Sequence, residues 1–191
     1  IIEPFSHKLV KTTIDSALNT ELSFVTQLKR FDPSRKLSLL VDQADFHFQT
    51  PNEAQTIAVI LGFISPNPNK VSLGLFELML NAIEHGNLGI GYATKSALLE
   101  AGELQKEIQS RLALTENQDK SAKISLTRTE QLLEFKIQDQ GEGFDASPYL
   151  GFDESRALEK NGRGIMIANC YSFDELEFQN HGSTVIARVY L

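Results

Sequence analysis

Val71-Ser72-Leu73-Gly74-Leu75-Phe76-Glu77-Leu78-Met79-Leu80-Asn81-Ala82-Ile83-Glu84-His85 carries apolar side chains around almost its whole helical circumference, which predicts a largely buried helix. Its polar exceptions are therefore the informative positions. Gly74, Glu77, Asn81 and either Glu84 or His85 follow at intervals of three and four, so they line one face, with Gly74 leaving room for something to approach. A buried carboxylate and amide need partners, since an unpaired polar group costs roughly 2 to 7 kcal/mol and a charge more. A metal ion and an attacking water would satisfy them. The alternative is a surface helix whose stripe faces solvent.

Downstream, Leu133, Phe135, Ile137 and Asp139 alternate along a strand, so the Asp139 carboxylate continues an inward-facing apolar row. Gln140-Gly141-Glu142-Gly143-Phe144 follows at once, and its two glycines let backbone come close to a ligand or simply let the chain turn. Asn161-Gly162-Arg163-Gly164 precedes a short helix from Ile165 to Cys170, whose free amides and positive dipole end suit a phosphate. Gly141-Glu142-Gly143-Phe144-Asp145-Ala146 also fits a dinucleotide fingerprint. Pro148 and Gly151 stand where that motif needs a long helix, which excludes it, and no phosphate-cradling Walker loop is present.

Working outward, the rest of the chain reads as helices first and strands later. Val10, Ile14, Leu18, Leu22, Val25 and Leu28 predict an amphipathic helix that Asp32-Pro33 ends. Leu37 to Val41 and Phe46 to Phe48 read as two extended stretches around a turn at Asp42-Gln43-Ala44-Asp45, a plausible hairpin. Thr50-Pro51-Asn52-Glu53 matches a capping box and predicts a helix to about Ile64. After Ser65-Pro66-Asn67-Pro68-Asn69, the polar-striped helix is expected from Lys70 to His85, closed by Gly86 and Gly89. Ala93 to Leu114 again has helical spacing. Ile124 to Thr127, Leu132 to Asp139, Glu175 to Phe178 and Thr184 to Leu191 alternate as strands. The expected fold is α+β: a two-layer sandwich of a mixed β-sheet with helices on one face, preceded by an N-terminal amphipathic helix.

Glu77-Leu78-Met79-Leu80-Asn81-Ala82-Ile83-Glu84-His85-Gly86, then Asp139-Gln140-Gly141-Glu142-Gly143, then Gly162-Arg163-Gly164, resemble the three nucleotide boxes of the gyrase, heat-shock chaperone, histidine kinase and MutL superfamily of ATPases. The form Glu-x-x-x-Asn-Ala-x-x-His-Gly is most similar to the anti-sigma-factor serine/threonine kinases. The resemblance spans roughly Leu37 to Leu191, so the ATPase domain is expected at residues 35–191, and it implies ATP held outside the helical layer. It implies that Asn81 coordinates Mg²⁺, that Glu77 orients or deprotonates the nucleophile, and that Asp139 binds the exocyclic amine of adenine. Gly141, Gly143, Gly162 and Gly164 would shape the pocket, residues 144–161 would form a lid over the phosphates, and Arg156, Lys160 and Arg163 are the candidate cations. The segment Leu88 to Lys120 departs from the short anti-sigma kinases in its length. Ile1-Ile2-Glu3-Pro4-Phe5 resembles the end of a response-regulator receiver domain, so residues 1–34 are expected to be a receiver end and linker helix; Glu3 stands where that family has lysine. Ser6-His7-Lys8-Leu9 lacks the Glu and Pro of a histidine-kinase phosphoacceptor box.

An apolar content of 41% over 191 residues supports a hydrophobic core. Eighteen basic against twenty-five acidic residues give a formal charge of -7, which argues against nucleic acid as a partner. The longest apolar run, Ile57 to Ile64, falls short of the roughly 20 residues of a membrane span. The single cysteine, Cys170, and the lack of a signal peptide fit a reducing cytoplasm; Ile1 in place of Met reads as a piece cut from a longer protein. The leading expectation is an ATP-dependent protein serine/threonine kinase within a two-component-type regulator. Its partner would be an anti-sigma-factor-antagonist (STAS-like) domain or a sigma factor, with homodimerisation open. A binding module without phosphoryl transfer and the catalytic domain of a histidine kinase are the alternatives.

Overall fold

The computed structural model describes residues 40–146 and 163–191. The N-terminal helix expected from Val10 to Leu28, the receiver-like end, Leu37 to Leu39, Gly162, and the expected lid beyond Ala146, with Arg156 and Lys160, lie outside them.

The first strand, β1 (Gln43–Phe48), corrects the expected hairpin. Asp42 to Asp45 has turn composition, yet Gln43 to Asp45 are extended and pair with Thr127, Leu126 and Ser125 of β2 (Ala122–Arg128). Cross-strand pairing outweighs local turn preference here, because Ala44, Phe46 and Phe48 point to the core on alternate positions while Asp45 meets Lys123 at 3.0 Å on the other face. The partner of β1 is thus a distant strand, and Val41 precedes it as irregular chain.

Helix α1 (Pro51–Gly62) starts on the expected capping box. Thr50 Oγ1 accepts from the Glu53 amide at 3.3 Å, and Glu53 Oε2 accepts from the amides of Gln49 and Thr50 at 2.8 and 2.9 Å. Both reciprocal bonds satisfy amides that the first turn leaves without partners. Helix α2 (Pro68–Asn81) runs on through a π-helical turn, Ala82–Asn87, and Gly89 leaves it in the left-handed region at φ 61°. The single helix expected from Ala93 to Leu114 is two, α3 (Tyr92–Ala101) and α4 (Leu104–Leu112). Gly102 between them adopts φ 72°, and the amides of Gly102 and Glu103 bond back to Leu99 and Leu98. A left-handed glycine closing a helix in this way stops it despite continuing apolar periodicity.

Strands β3 (Leu132–Gln138), β4 (Glu175–Gln179) and β5 (Thr184–Tyr190) complete a five-stranded sheet of order β1-β2-β3-β5-β4. Every neighbouring pair is antiparallel, which corrects the expected mixed sheet. The chain does cross over from β3 to β4, but β5 turns back through the short turn Asn180–Gly182 and inserts between them, so the strands that run the same way are never neighbours.

One face of the sheet carries Ile124, Leu126, Leu133, Phe135, Ile137, Val185, Ala187 and Val189 into a core shared with α1, α2 and Ala168 of the π-helical turn, Ala168–Ser172, that continues the short helix α5 (Arg163–Ile167). The opposite face is polar and holds the Arg188–Glu134 ion pair at 2.8 Å. This is an α+β sandwich with helices on one face. Among the described residues no helix is long and apolar enough to cross a membrane.

Candidate functional site

Where α2 passes the end of β3, Leu78, Asn81, Ala82, His85 and Gly86 face Ile137, Asp139, Gly143, Phe144, Phe178, Gly182 and Val185 across a cavity. Most of its lining is apolar, and Asn81, His85 and Asp139 supply the polar side chains. The Asn81 side-chain amide lines the cavity and forms no hydrogen bond with another side chain among the described residues. A half-buried amide without a side-chain partner leaves donors and an acceptor for a ligand.

Asp139 is held in place from three sides. Its amide donates to the Ser183 carbonyl at 3.0 Å, and its Oδ1 accepts from the Gly141 amide at 2.8 Å. On the third side lies Gly86, where a Cβ would sit 2.5 Å from Oδ1 and 2.8 Å from the Asp139 Cβ. Burial pushes the carboxyl above its ordinary range, against the pull of the Gly141 N–H. A carboxylate that costs energy to keep charged gains most from a ligand donor.

The glycines behave as a close-packed cradle. A Cβ on Gly141 would lie 2.5 Å from the Gly86 carbonyl oxygen, and Gly143, at φ 80°, packs against the His181 carbonyl. Gly143 is therefore bound to be glycine twice over, by conformation and by space. The turn opposite contains Asn180 and His181 at φ 50° and 55°, then Gly182 at φ 90° against Phe144. Asn87 ties this region to the long connection: its Oδ1 accepts from the Gln140 amide at 2.9 Å and its carbonyl accepts from Lys120 Nζ at 3.0 Å. Gly141 lines a neighbouring groove, shared with His85, Gly86, Gly143, Arg111 and Lys120.

The sequence left Glu84 and His85 as alternatives for the fourth stripe position, and the cavity takes His85. Its Nδ1 lies against the Ile90 carbonyl, which can only accept, so Nδ1 carries the proton and Nε2 is the acceptor of the neutral ring. Burial lowers its pKa, and the Lys95 charge adds to that effect. Glu84 instead turns away and pairs with Lys95 of α3 at 2.6 Å.

Glu77 lies one turn before Asn81, outside the cavity lining, and meets α5: a Cβ on Gly164 would stand 2.6 Å from Glu77 Oε2. Burial raises the Glu77 carboxyl pKa and Glu84 raises it further, while Lys95 and Arg163 oppose them. Asn81, Asp139 and Gly143 thus share one cavity, with Gly141 behind it, and Glu77, Arg163 and Gly164 form an adjoining cluster. Gly162 is outside the described residues. Gly74 corrects an expectation, because Ser172 and Phe173 fill the space that its missing side chain leaves. It is a helix-packing glycine.

Phe178 and Gly182 were missed as site residues, and Gly86 and Phe144, though they stand in the quoted motifs, were assigned no role in the pocket. The His181-Gly182 pair between two strand runs is a local turn signal that says nothing of a cavity. No family model matches the chain, and no match was found among curated proteins either.

Proposed function

We propose that this domain binds Mg-ATP in the cavity between α2 and the end of β3, in the manner of the histidine-kinase-like ATPases, and transfers the γ-phosphoryl group to a serine or threonine of a partner protein. The observation that supports this reading is the convergence of Asn81, His85 and Asp139 with Gly143 on one cavity, although α2 and β3 are far apart in the chain. In this reading Asp139 accepts from the exocyclic amine of adenine at the end of an otherwise apolar slot, which suits a flat heterocycle. The Asn81 oxygen, free of side-chain partners, suits a hard cation that takes oxygen ligands and keeps phosphate oxygens as the others. Mg²⁺, when bound there, supplies neutralisation of the phosphate charge. Asn81 would hold it, Gly164 and Arg163 would face the phosphates from α5, and Glu77 would orient the acceptor hydroxyl and take its proton. A STAS-like domain or a sigma factor is the partner class, with an upstream receiver domain in control, in a cytoplasmic regulator.

A binding module without transfer is the second reading. The position of Glu77 outside the cavity, with burial favouring its neutral form, supports it. Incubation with labelled ATP and candidate partners tests both. Acid-stable label on serine or threonine is expected, and Glu77→Gln is expected to keep nucleotide affinity while transfer falls by roughly 10²- to 10⁴-fold. Asn81→Ala should damage Mg-dependent binding and transfer together. Full transfer by Glu77→Gln would remove Glu77 from the chemistry, and nucleotide binding without any acceptor would favour the module.

A further inference from the structure

Asp139 sits in a turn of three residues whose amides all have partners. The Asp139 amide donates to the Ser183 carbonyl at 3.0 Å, and the Gly141 amide donates to Asp139 Oδ1 at 2.8 Å. Between them the Gln140 amide donates at 2.9 Å to Oδ1 of Asn87, the last residue of the π-helical turn that continues α2. Asn87 is buried and stands 53 residues before Gln140 in the chain. A buried side-chain amide bonded to one distant backbone N–H fixes how two elements meet, because breaking that bond leaves both groups unsatisfied. The connection after α2 holds Asn87 in turn. Lys120 Nζ donates to the Asn87 carbonyl at 3.0 Å, and Arg111 Nη1 of α4 donates to the carbonyls of Leu88 and Gly89 at 2.8 and 3.0 Å. Three successive carbonyls at the C-terminal end of the helix, where partners are lacking and positive charge is favoured, thus receive cations from residues 88–120.

We propose that Asn87 is a positioning residue for base recognition: by holding the Gln140 amide it fixes the turn at residues 139–141, and with it the direction in which the Asp139 carboxylate faces the cavity. Oδ1 is committed to the Gly141 amide, so the orientation of the turn sets where Oδ2 points. Gly86, next to Asn87, packs against the same carboxyl so closely that a Cβ would overlap it, and the end of α2 therefore braces Asp139 as well as the turn. The ligand feature recognised in this way is the exocyclic amine of a 6-aminopurine nucleotide. Residues 88–120 serve the site by clamping Asn87. This assignment rests on the reading that Asp139 accepts from that amine.

Calorimetry with ADP and with purine riboside 5′-diphosphate, which carries hydrogen where ADP has the amine, measures the discrimination. The unmodified protein is expected to bind ADP roughly 10- to 100-fold more tightly than the analogue. Asn87→Ala removes the acceptor; the ratio should fall to about threefold or less through lost ADP affinity, with affinity for the analogue held within about twofold. A purely structural role would weaken both ligands alike. Asn87→Asp keeps an oxygen at the Gln140 amide and should restore most of the ratio. A folded Asn87→Ala protein with the parent's ratio would overturn the assignment. Where Asn87→Ala does not fold, amide exchange in the unmodified protein decides: the Gln140 amide is expected to exchange slowly without ligand, and more slowly at saturation with ADP than with the analogue. Exchange at the rate of an open loop amide, or equal slowing by both ligands, overturns the assignment. If the parent binds neither ligand or binds both equally, the adenine reading of Asp139 fails and the recognition role of Asn87 fails with it, whereas an unchanged ratio in the variant of a discriminating parent removes Asn87 alone.

Discussion

Gly86→Ala is the substitution that most directly tests how the cavity is built. The added methyl would overlap Asp139 Cγ and lie 2.5 and 2.8 Å from Oδ1 and Cβ. Asp139 cannot escape by rotating its carboxyl alone, because its Cβ is also in the way and its Oδ1 is tied to the Gly141 amide at 2.8 Å. The turn after β3 must therefore shift. Overpacking of this kind costs about 1 to 3 kcal/mol, whereas alanine in place of a helical glycine returns up to about 1 kcal/mol, so the net loss of stability is about 0 to 3 kcal/mol. Binding should suffer more clearly than folding. A displaced Asp139 forfeits a charge-assisted hydrogen bond worth about 1.5 to 3 kcal/mol, which is roughly a 10- to 100-fold loss of ADP affinity. Gly91→Ala is the internal control, since a Cβ there meets nothing within 4 Å. Because Gly91 caps the N-terminus of α3, where alanine is the poorer residue, the substitution should cost up to about 1 kcal/mol of stability and leave ADP affinity unaltered. Calorimetry of ADP binding and thermal unfolding of both variants provide the readout. Parent-like ADP affinity in Gly86→Ala would refute the inference that Gly86 and Asp139 form one wall of the nucleotide site.

Asp139→Asn keeps an oxygen for the Gly141 amide but removes a carboxylate whose pKa burial has raised, so the ionised form is a cost to the fold that appears as pH rises through the folded pKa. Without nucleotide the variant should therefore be at least as stable as the parent at neutral pH, with the difference gone at about pH 3, below the ordinary value of 3.8; thermal melts across pH check this. The same variant should bind ADP about 10- to 100-fold more weakly by calorimetry, and unchanged affinity would remove Asp139 from adenine recognition. Thr50→Ala removes one half of the capping box and should cost about 1 kcal/mol, lowering Tm by about 2 to 4 °C with ADP affinity intact.

Local chemistry made several elements legible in the sequence. Thr50, Pro51 and Glu53 start α1 by a device that operates within four residues, so no distant contact was needed to see it. The core strands and α2 announced themselves through their apolar periods, which reflect which side of an element faces the interior. Asn81 and Asp139, which line one cavity, were legible as candidate site residues because each interrupts such a period with a polar group. What the sequence left undecided depends on groups that meet only in space. Asp42 to Asp45 looked like a turn until Ser125, Leu126 and Thr127 were available to pair with it. The all-antiparallel order arises from β5 inserting between β3 and β4, a choice of neighbour that no local pattern encodes. Gly74 and Gly86 are alike in sequence, yet one accommodates Ser172 and the other Asp139. Glu84 and His85 are consecutive residues of the π-helical turn and so project from different sides of it. Only the placement of Lys95 on α3 gave the acid a buried partner and turned the imidazole into the cavity, because a buried charge settles where its counterion is.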